Sequence, residues 1–115
     1  MIGIIGAMEE ENRILLENMA EKTEETHFHL VFTRGKIENQ EVVLVQSGIG
    51  KVNSAIATAF IIDRYRPDFV INTGSAGGLN TALHVGDVVV ADKVAYHDVD
   101  ATAFGYAVGQ VPQMP

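Results

Sequence analysis

Apolar positions along the chain come in two kinds, short unbroken runs and stripes spaced three or four apart, and their succession predicts an α/β protein. Met1 to Ile5 is a short β-type run closed by Gly6, the pattern of a buried strand. A helix is predicted from about Met8 to Ala20, with Glu9, Arg13 and Glu17 four apart on a solvated face. His27 to Arg34 alternates, with Phe28, Leu30 and Phe32 against His27, His29 and Thr33, and predicts a strand with one wet face. Glu41 to Val45 predicts another strand, with a turn over Lys36 to Gln40 between the two. A second helix is expected over Lys51 to Arg64, where Val52, Ala55, Ile56 and Ala59 form an apolar stripe of mostly small residues suited to a sheet. Arg64 and Arg66 complement its C-terminal dipole and Pro67 stops it. Phe69 to Asn72 reads as a buried strand, Gly74 to Gly78 as a tight turn, and Gly86 to Asp92 as a further strand. The first and fourth strands, apolar without alternation, are expected to be buried on both faces. Periodicity is lost from Ala95 onward, and with no closing element after the last strand a sheet edge stays bare, so the chain reads as unfinished.

Composition narrows the partners. The 115 residues suffice for one domain at most, and 47% apolar with 20% charged residues is ordinary for a folded protein. A net charge of -7 disfavours nucleic acid and anionic membranes. No cysteine occurs, which excludes disulfides and thiolate metal sites. With neither a signal-peptide pattern nor an apolar run of membrane-spanning length, a cytoplasmic location is expected.

Three small-residue loops follow strand ends: Gly6-Ala7-Met8, Ser47-Gly48-Ile49-Gly50 and Gly74 to Gly78. In open α/β sheets ligands collect where such turns converge, so the three together predict a pocket. A helical wheel sets Glu11 on one face with Ala7, Met8, Ile14, Leu15 and Met19, away from Glu9, Arg13 and Glu17. Two readings fit this carboxylate. Burial in apolar surroundings raises a carboxyl pKa and suits a general base; a place near a helix start suits a cap or ion pair. Other motifs fail: before Gly50-Lys51, Val45 stands where the first P-loop glycine belongs, and Val52 replaces the Ser/Thr. Gly3 and Gly6 lie within the strand and not in the turn of a dinucleotide fingerprint, and Thr73 stands where a nucleophile elbow around Ser75 needs glycine. His97-Asp98 with Asp100 is a weak metal pattern, and a hydrogen-bonded loop histidine fits it better. Phe104, Tyr106, Val111, Pro112 and Met114 crowd an irregular segment that is either packed locally or lent to a partner.

Four blocks carry a resemblance spanning the whole chain: Ile2 to Glu11 (IGIIGAMEEE), Gln46 to Val52 (QSGIGKV), Ile71 to Gly78 (INTGSAGG) and Tyr96 to Tyr106 (YHDVDATAFGY). In order and spacing they resemble the N-terminal half of the bacterial 5′-methylthioadenosine/S-adenosylhomocysteine nucleosidases. The resemblance implies residues 1–115 as half of a single nucleosidase domain, with the nucleoside phosphorylase-like fold, an α/β/α sandwich around a mixed sheet. It implies a homodimer that uses no metal and no cofactor. The implied reaction is hydrolysis of the N-glycosidic bond of a small-molecule thio-nucleoside. Glu11 matches the carboxylate that activates water, and Ser75 the serine beside it. Met8, Ile49, Ala76 and Gly77 match substrate contacts, and Phe104 and Pro112 match residues lent to the neighbouring subunit's pocket. The family's adenine-protonating aspartate, base-stacking aromatic and ribose-binding glutamate have no counterpart in the chain, and Asn12 is polar where the wheel favours an apolar residue at the stripe's edge. Two alternatives stand beside this: a phosphorylase of the same fold, for which the acidic first loop makes a poor phosphate site, and a non-catalytic adenosine-binding or dimerisation module.

Overall fold

The computed structural model describes residues 1–115, which divide into two compact units, Met1–Gly77 and Gly78–Pro115. The first unit holds strand β1 (Ile2–Gly6), helix α1 (Glu9–Asn18), strands β2 (Ala20–His27), β3 (Leu30–Ile37) and β4 (Gln40–Gln46), helix α2 (Lys51–Tyr65) and strand β5 (Phe69–Asn72). The strands form one mixed sheet in the order β2-β3-β4-β1-β5. β1 pairs in parallel with β4 and β5, whereas β2, β3 and β4 form an antiparallel meander.

Period-two alternation splits the core between the faces. Ile5, Val43 and Val45 join Leu30 and Phe32 on one face, covered by Ala57 and Ile61 of α2. Ile4, Val42 and Leu44 lie on the other, with Met19 and the part-buried Leu15 and Leu16 of α1. Helix, sheet and helix make the three layers of an α/β/α sandwich, as expected from sequence.

Several elements depart from expectation. The alternating run from His27 is two strands folded at Phe28 and His29, where Phe28 takes φ 57° without a glycine or asparagine to mark the turn. Its partner β2 has only one part-buried position besides His27 and is otherwise exposed, an edge strand rich in Glu, Lys and Thr that carries no apolar periodicity. The β3–β4 turn is as expected: Glu38 and Asn39 both lie at positive φ, the two-residue geometry that matches strand twist. The apolar stripe assigned to α2 faces outward, with Val52 and Ile56 exposed and Ala57 and Ile61 buried, because this helix is apolar on more than one side. In α1 Ile14 is exposed and Asn12 buried, which shifts the inner face by about one position. β1 is buried as expected, but β5 is exposed along its length, since it pairs only with β1 at the border of the sheet.

The second unit contains a single regular element, a 3₁₀ turn (Thr102–Phe104), and is otherwise held by turns. The strand expected over Gly86 to Asp92 does not form: its apolar residues Val88, Val89 and Val90 are exposed and no ladder pairs them. Backbone bonds from Tyr96 to Gly109 and from Gly109 to Val99 close the later segment, and Ala101 is buried there. No helix is long and apolar enough to cross a membrane.

Candidate active site

The three small-residue loops emerge from the carboxyl ends of β1, β4 and β5, which are parallel and therefore open on one edge of the sheet. Ser47 N–H donates to the Gly6 carbonyl at 2.9 Å and Thr73 N–H to the Ile5 carbonyl at 3.0 Å, so β1 sits between the other two loops. Ser47 is buried, and its hydroxyl donates to the Gly48 carbonyl. Gly50, at φ 105°, turns the second loop into α2 where a side chain would be strained.

Glu11 joins the first loop to the third. It is the third residue of α1, and its Oε2 accepts the N–H groups of Ala7 at 2.9 Å and Met8 at 3.1 Å. These are donors that a helix start leaves unpaired, so one of the two sequence readings, the cap, is realised. The same carboxylate also reaches across the sheet edge. Oε1 accepts the Ser75 N–H at 2.9 Å and the Ser75 hydroxyl at 3.3 Å, a contact between residues 64 apart. Capping accounts for one oxygen; the other is aimed at the third loop.

The electrostatic outcome reverses the expected shift. The Ser75 N–H, then the Met8 N–H, with further bonds from Ala7 and the Ser75 hydroxyl, hold Glu11 below the usual carboxylate range, against a smaller desolvation effect. The site is half-exposed and donor-rich, not apolar, so hydrogen bonding outweighs burial. Glu11 is therefore an anion across the neutral range.

The remaining candidates are placed as follows. Met8 is half-buried and presents its N–H to Glu11, while Ala76 and Gly77 continue the third loop in exposed positions. Ile49 projects from the second loop and is 74% exposed. Phe104 and Pro112 are exposed residues of the second unit. Asp100 accepts the N–H and hydroxyl of Thr102 and starts the 3₁₀ turn, and His97 lies 4.0 Å from the Asp98 carboxylate. Asn12, one residue beyond Glu11, is 2% exposed with neither amide atom hydrogen-bonded, packed against Gly6 under the first loop. Sequence reasoning placed it at the stripe's edge; it is central because the helix is rotated. A shallow cavity bounded by Met1, Arg34, Lys36 and Glu41 lies toward the amino ends of β1 and β4, away from the three loops.

A family model described as the phosphorylase superfamily matches residues 1–115. The chain is 58% identical over its full 115 residues to the 5′-methylthioadenosine/S-adenosylhomocysteine nucleosidase of Staphylococcus haemolyticus, covering 50% of that relative, and 57% identical to that of Staphylococcus aureus with the same coverage. Among solved structures it is similar to the nucleosidase of Colwellia psychrerythraea in complex with adenine, with a TM-score of 0.96 and 54% identity over 99% of this chain and 47% of that one. The Neisseria meningitidis nucleosidase in complex with methylthio-immucillin-A gives a TM-score of 0.95 and 52% identity over 99% of this chain and 49% of that one. The chain spans about half the length of the curated relatives it matches.

Proposed function

We propose, for a chain that belongs to the phosphorylase superfamily, that the full-length protein hydrolyses the N-glycosidic bond of 5′-methylthioadenosine and S-adenosylhomocysteine, releasing adenine and a thioribose. The observation that carries this reading is the Glu11 carboxylate bridging the first and third loops through Ala7, Met8 and Ser75. Glycoside cleavage passes through an oxocarbenium-like transition state with positive charge at the anomeric carbon. A carboxylate held ionised at neutral pH beside that carbon stabilises the charge and orients a water for attack. The water becomes strongly acidic only as its oxygen bonds to the cationic carbon, so a carboxylate of low basicity is sufficient to take its proton, while the electron pair of the broken C–N bond leaves with adenine, which takes up one proton in exchange. Ser75, bonded to Oε1 while Ala7 and Met8 hold Oε2, keeps Glu11 from turning away. The relatives above are nucleosidases, and two related structures hold adenine or methylthio-immucillin-A, which supports a thio-nucleoside as substrate.

On the same reading Met8, Ile49, Ala76 and Gly77 line the substrate, and Phe104 and Pro112 are lent to the pocket of a second copy in a homodimer. The exposure of Phe104, 83%, is consistent with such a loan.

The test is adenine release from methylthioadenosine by the full-length protein, with and without phosphate, for wild type and Glu11→Gln. Release independent of phosphate is expected, with turnover falling on the order of 10²–10⁴-fold in the variant while KM changes little. Near-normal turnover by Glu11→Gln removes this carboxylate from the mechanism, and a strict phosphate requirement converts the reading to a phosphorylase.

A further inference from the structure

We infer that Gly74 is a positioning residue for this reaction, and that the space left by its missing side chain is what lets the Glu11 carboxylate reach Ser75. A Cβ at Gly74 would stand 2.5 Å from Glu11 Oε1, 2.9 Å from Cδ and 3.1 Å from Oε2. All three are atoms of one carboxylate; no other side chain and no backbone atom is nearer. The backbone gives no competing reason for glycine here, because Gly74 does not lie in the left-handed region that Gly48 and Gly50 occupy. The neighbouring Gly77 also has ordinary φ, and nothing lies within 4 Å of a Cβ there. Within this one loop, then, Gly74 is set apart by what the Glu11 side chain requires.

The chemistry of the obstruction separates catalysis from folding. A glycine whose added Cβ meets backbone costs stability, since backbone cannot yield cheaply. Here the obstructing group is the far end of a flexible, half-exposed side chain that turns aside by rotation about its own bonds. An alanine at position 74 is therefore accommodated by expelling the carboxylate, which forfeits both bonds to Ser75 while the strand before it keeps its pairing with β1. Displacement of a catalytic group by about 1 Å costs on the order of 10²-fold in rate.

This inference rests on the nucleosidase reading, and its test separates the two. In the full-length protein, Gly74→Ala is expected to keep KM near wild type and lower kcat by roughly 10- to 100-fold. In the Glu11→Gln background the same substitution is expected to add less than about twofold, because its effect runs through the displaced carboxylate. Titration of labelled Glu11 by NMR is expected to show its pKa moving up in Gly74→Ala as the Ser75 donors are lost. A folded Gly74→Ala enzyme with unchanged kcat and unchanged Glu11 titration overturns the proposal, as does an equal loss in both backgrounds. If Gly74→Ala fails to fold, Glu11→Ala with Gly74→Ala must recover the Tm of Glu11→Ala alone, since the obstruction is then gone; failure to recover it overturns the proposal. Should Glu11→Gln retain turnover, the catalytic reading falls, while the Glu11 titration and the Tm comparison still decide the clearance.

Discussion

At the scale of single residues, the side chains of one helical turn have opposite energetic characters. Glu11 is half-exposed and has four hydrogen-bond donors; Asn12 is buried and has no partner for either amide atom. An unsatisfied buried polar group costs about 1–3 kcal/mol, more than the contacts its amide makes in return. Asn12→Val is therefore expected to raise stability by about 1 kcal/mol or more, read from the midpoint of chemical denaturation. Gly6→Ala is expected to act in the opposite sense, since its Cβ would overlap the Asn12 side chain in a packed interior, at a cost of about 1–3 kcal/mol. The acid side of the pH profile follows from carboxylates held low in the folded state: Glu11 by Ser75 and Met8, Glu25 by His27. A folded-state pKa below the unfolded one means that the unfolded chain binds more protons in the window between them. The stabilisation is then complete above the unfolded value and disappears as pH falls through the folded one. Denaturation midpoints are expected to be insensitive to these groups from neutrality down to about pH 5 and to decline below about pH 4.5, more shallowly in Glu11→Gln.

Among elements, the outer hairpin of β2 and β3 is laddered to β4 and is tied to α2 by side chains as well. Its Glu25 carboxylate accepts the Tyr65 hydroxyl at 3.2 Å, contacts His27 at 3.3 Å and lies 3.6 Å from Arg64, while Phe60 stacks on Phe32 and His27 above the sheet. Burial and the Glu25 charge hold the Tyr65 phenol above its usual pKa, so it stays a donor at neutral pH. Tyr65→Phe is expected to lower stability by about 0.5–1.5 kcal/mol without altering the proposed glycosidic reaction, measured in the full-length protein by denaturation and adenine release on the same sample. This hairpin is also where sequence reading was weakest. Strands β1 and β4 and both helices were legible because they carry unbroken apolar runs or a helical period bounded by Gly, Pro or charge. β2 was not, because an edge strand that faces water on most positions has no such pattern, and its turn at Phe28 lacks the usual residues. For the site, the wheel sets Glu11 apart from Glu9, yet the direction of its pKa shift depends on which N–H groups surround it, and the one with the largest effect belongs to Ser75, 64 positions away. The clearance at Gly74 is a property of two segments brought together and is written in neither alone.

For the molecule as a whole, the two units differ in how firmly their backbone is held. Met1–Gly77 contains the sheet and both helices; in Gly78–Pro115 long stretches such as Val88 to Val90 are exposed with no ladder. Limited proteolysis of the 115-residue chain is expected to cut first between Leu79 and Val94 and leave a resistant fragment ending near Gly77, identified by intact mass. Early cuts within β3 or β4 would contradict this. The sheet order has a further consequence for how the protein is made. β1 leaves the ribosome before its partner β5, which follows roughly 70 residues later, several seconds at about 5–20 residues per second. Through that interval the β2–β4 meander can zip locally, whereas the apolar edge of β1 that awaits β5 stays open on the nascent chain. The Glu11–Ser75 contact cannot exist until that edge is closed, so the bridge between the first and third loops is set only once β5 has paired.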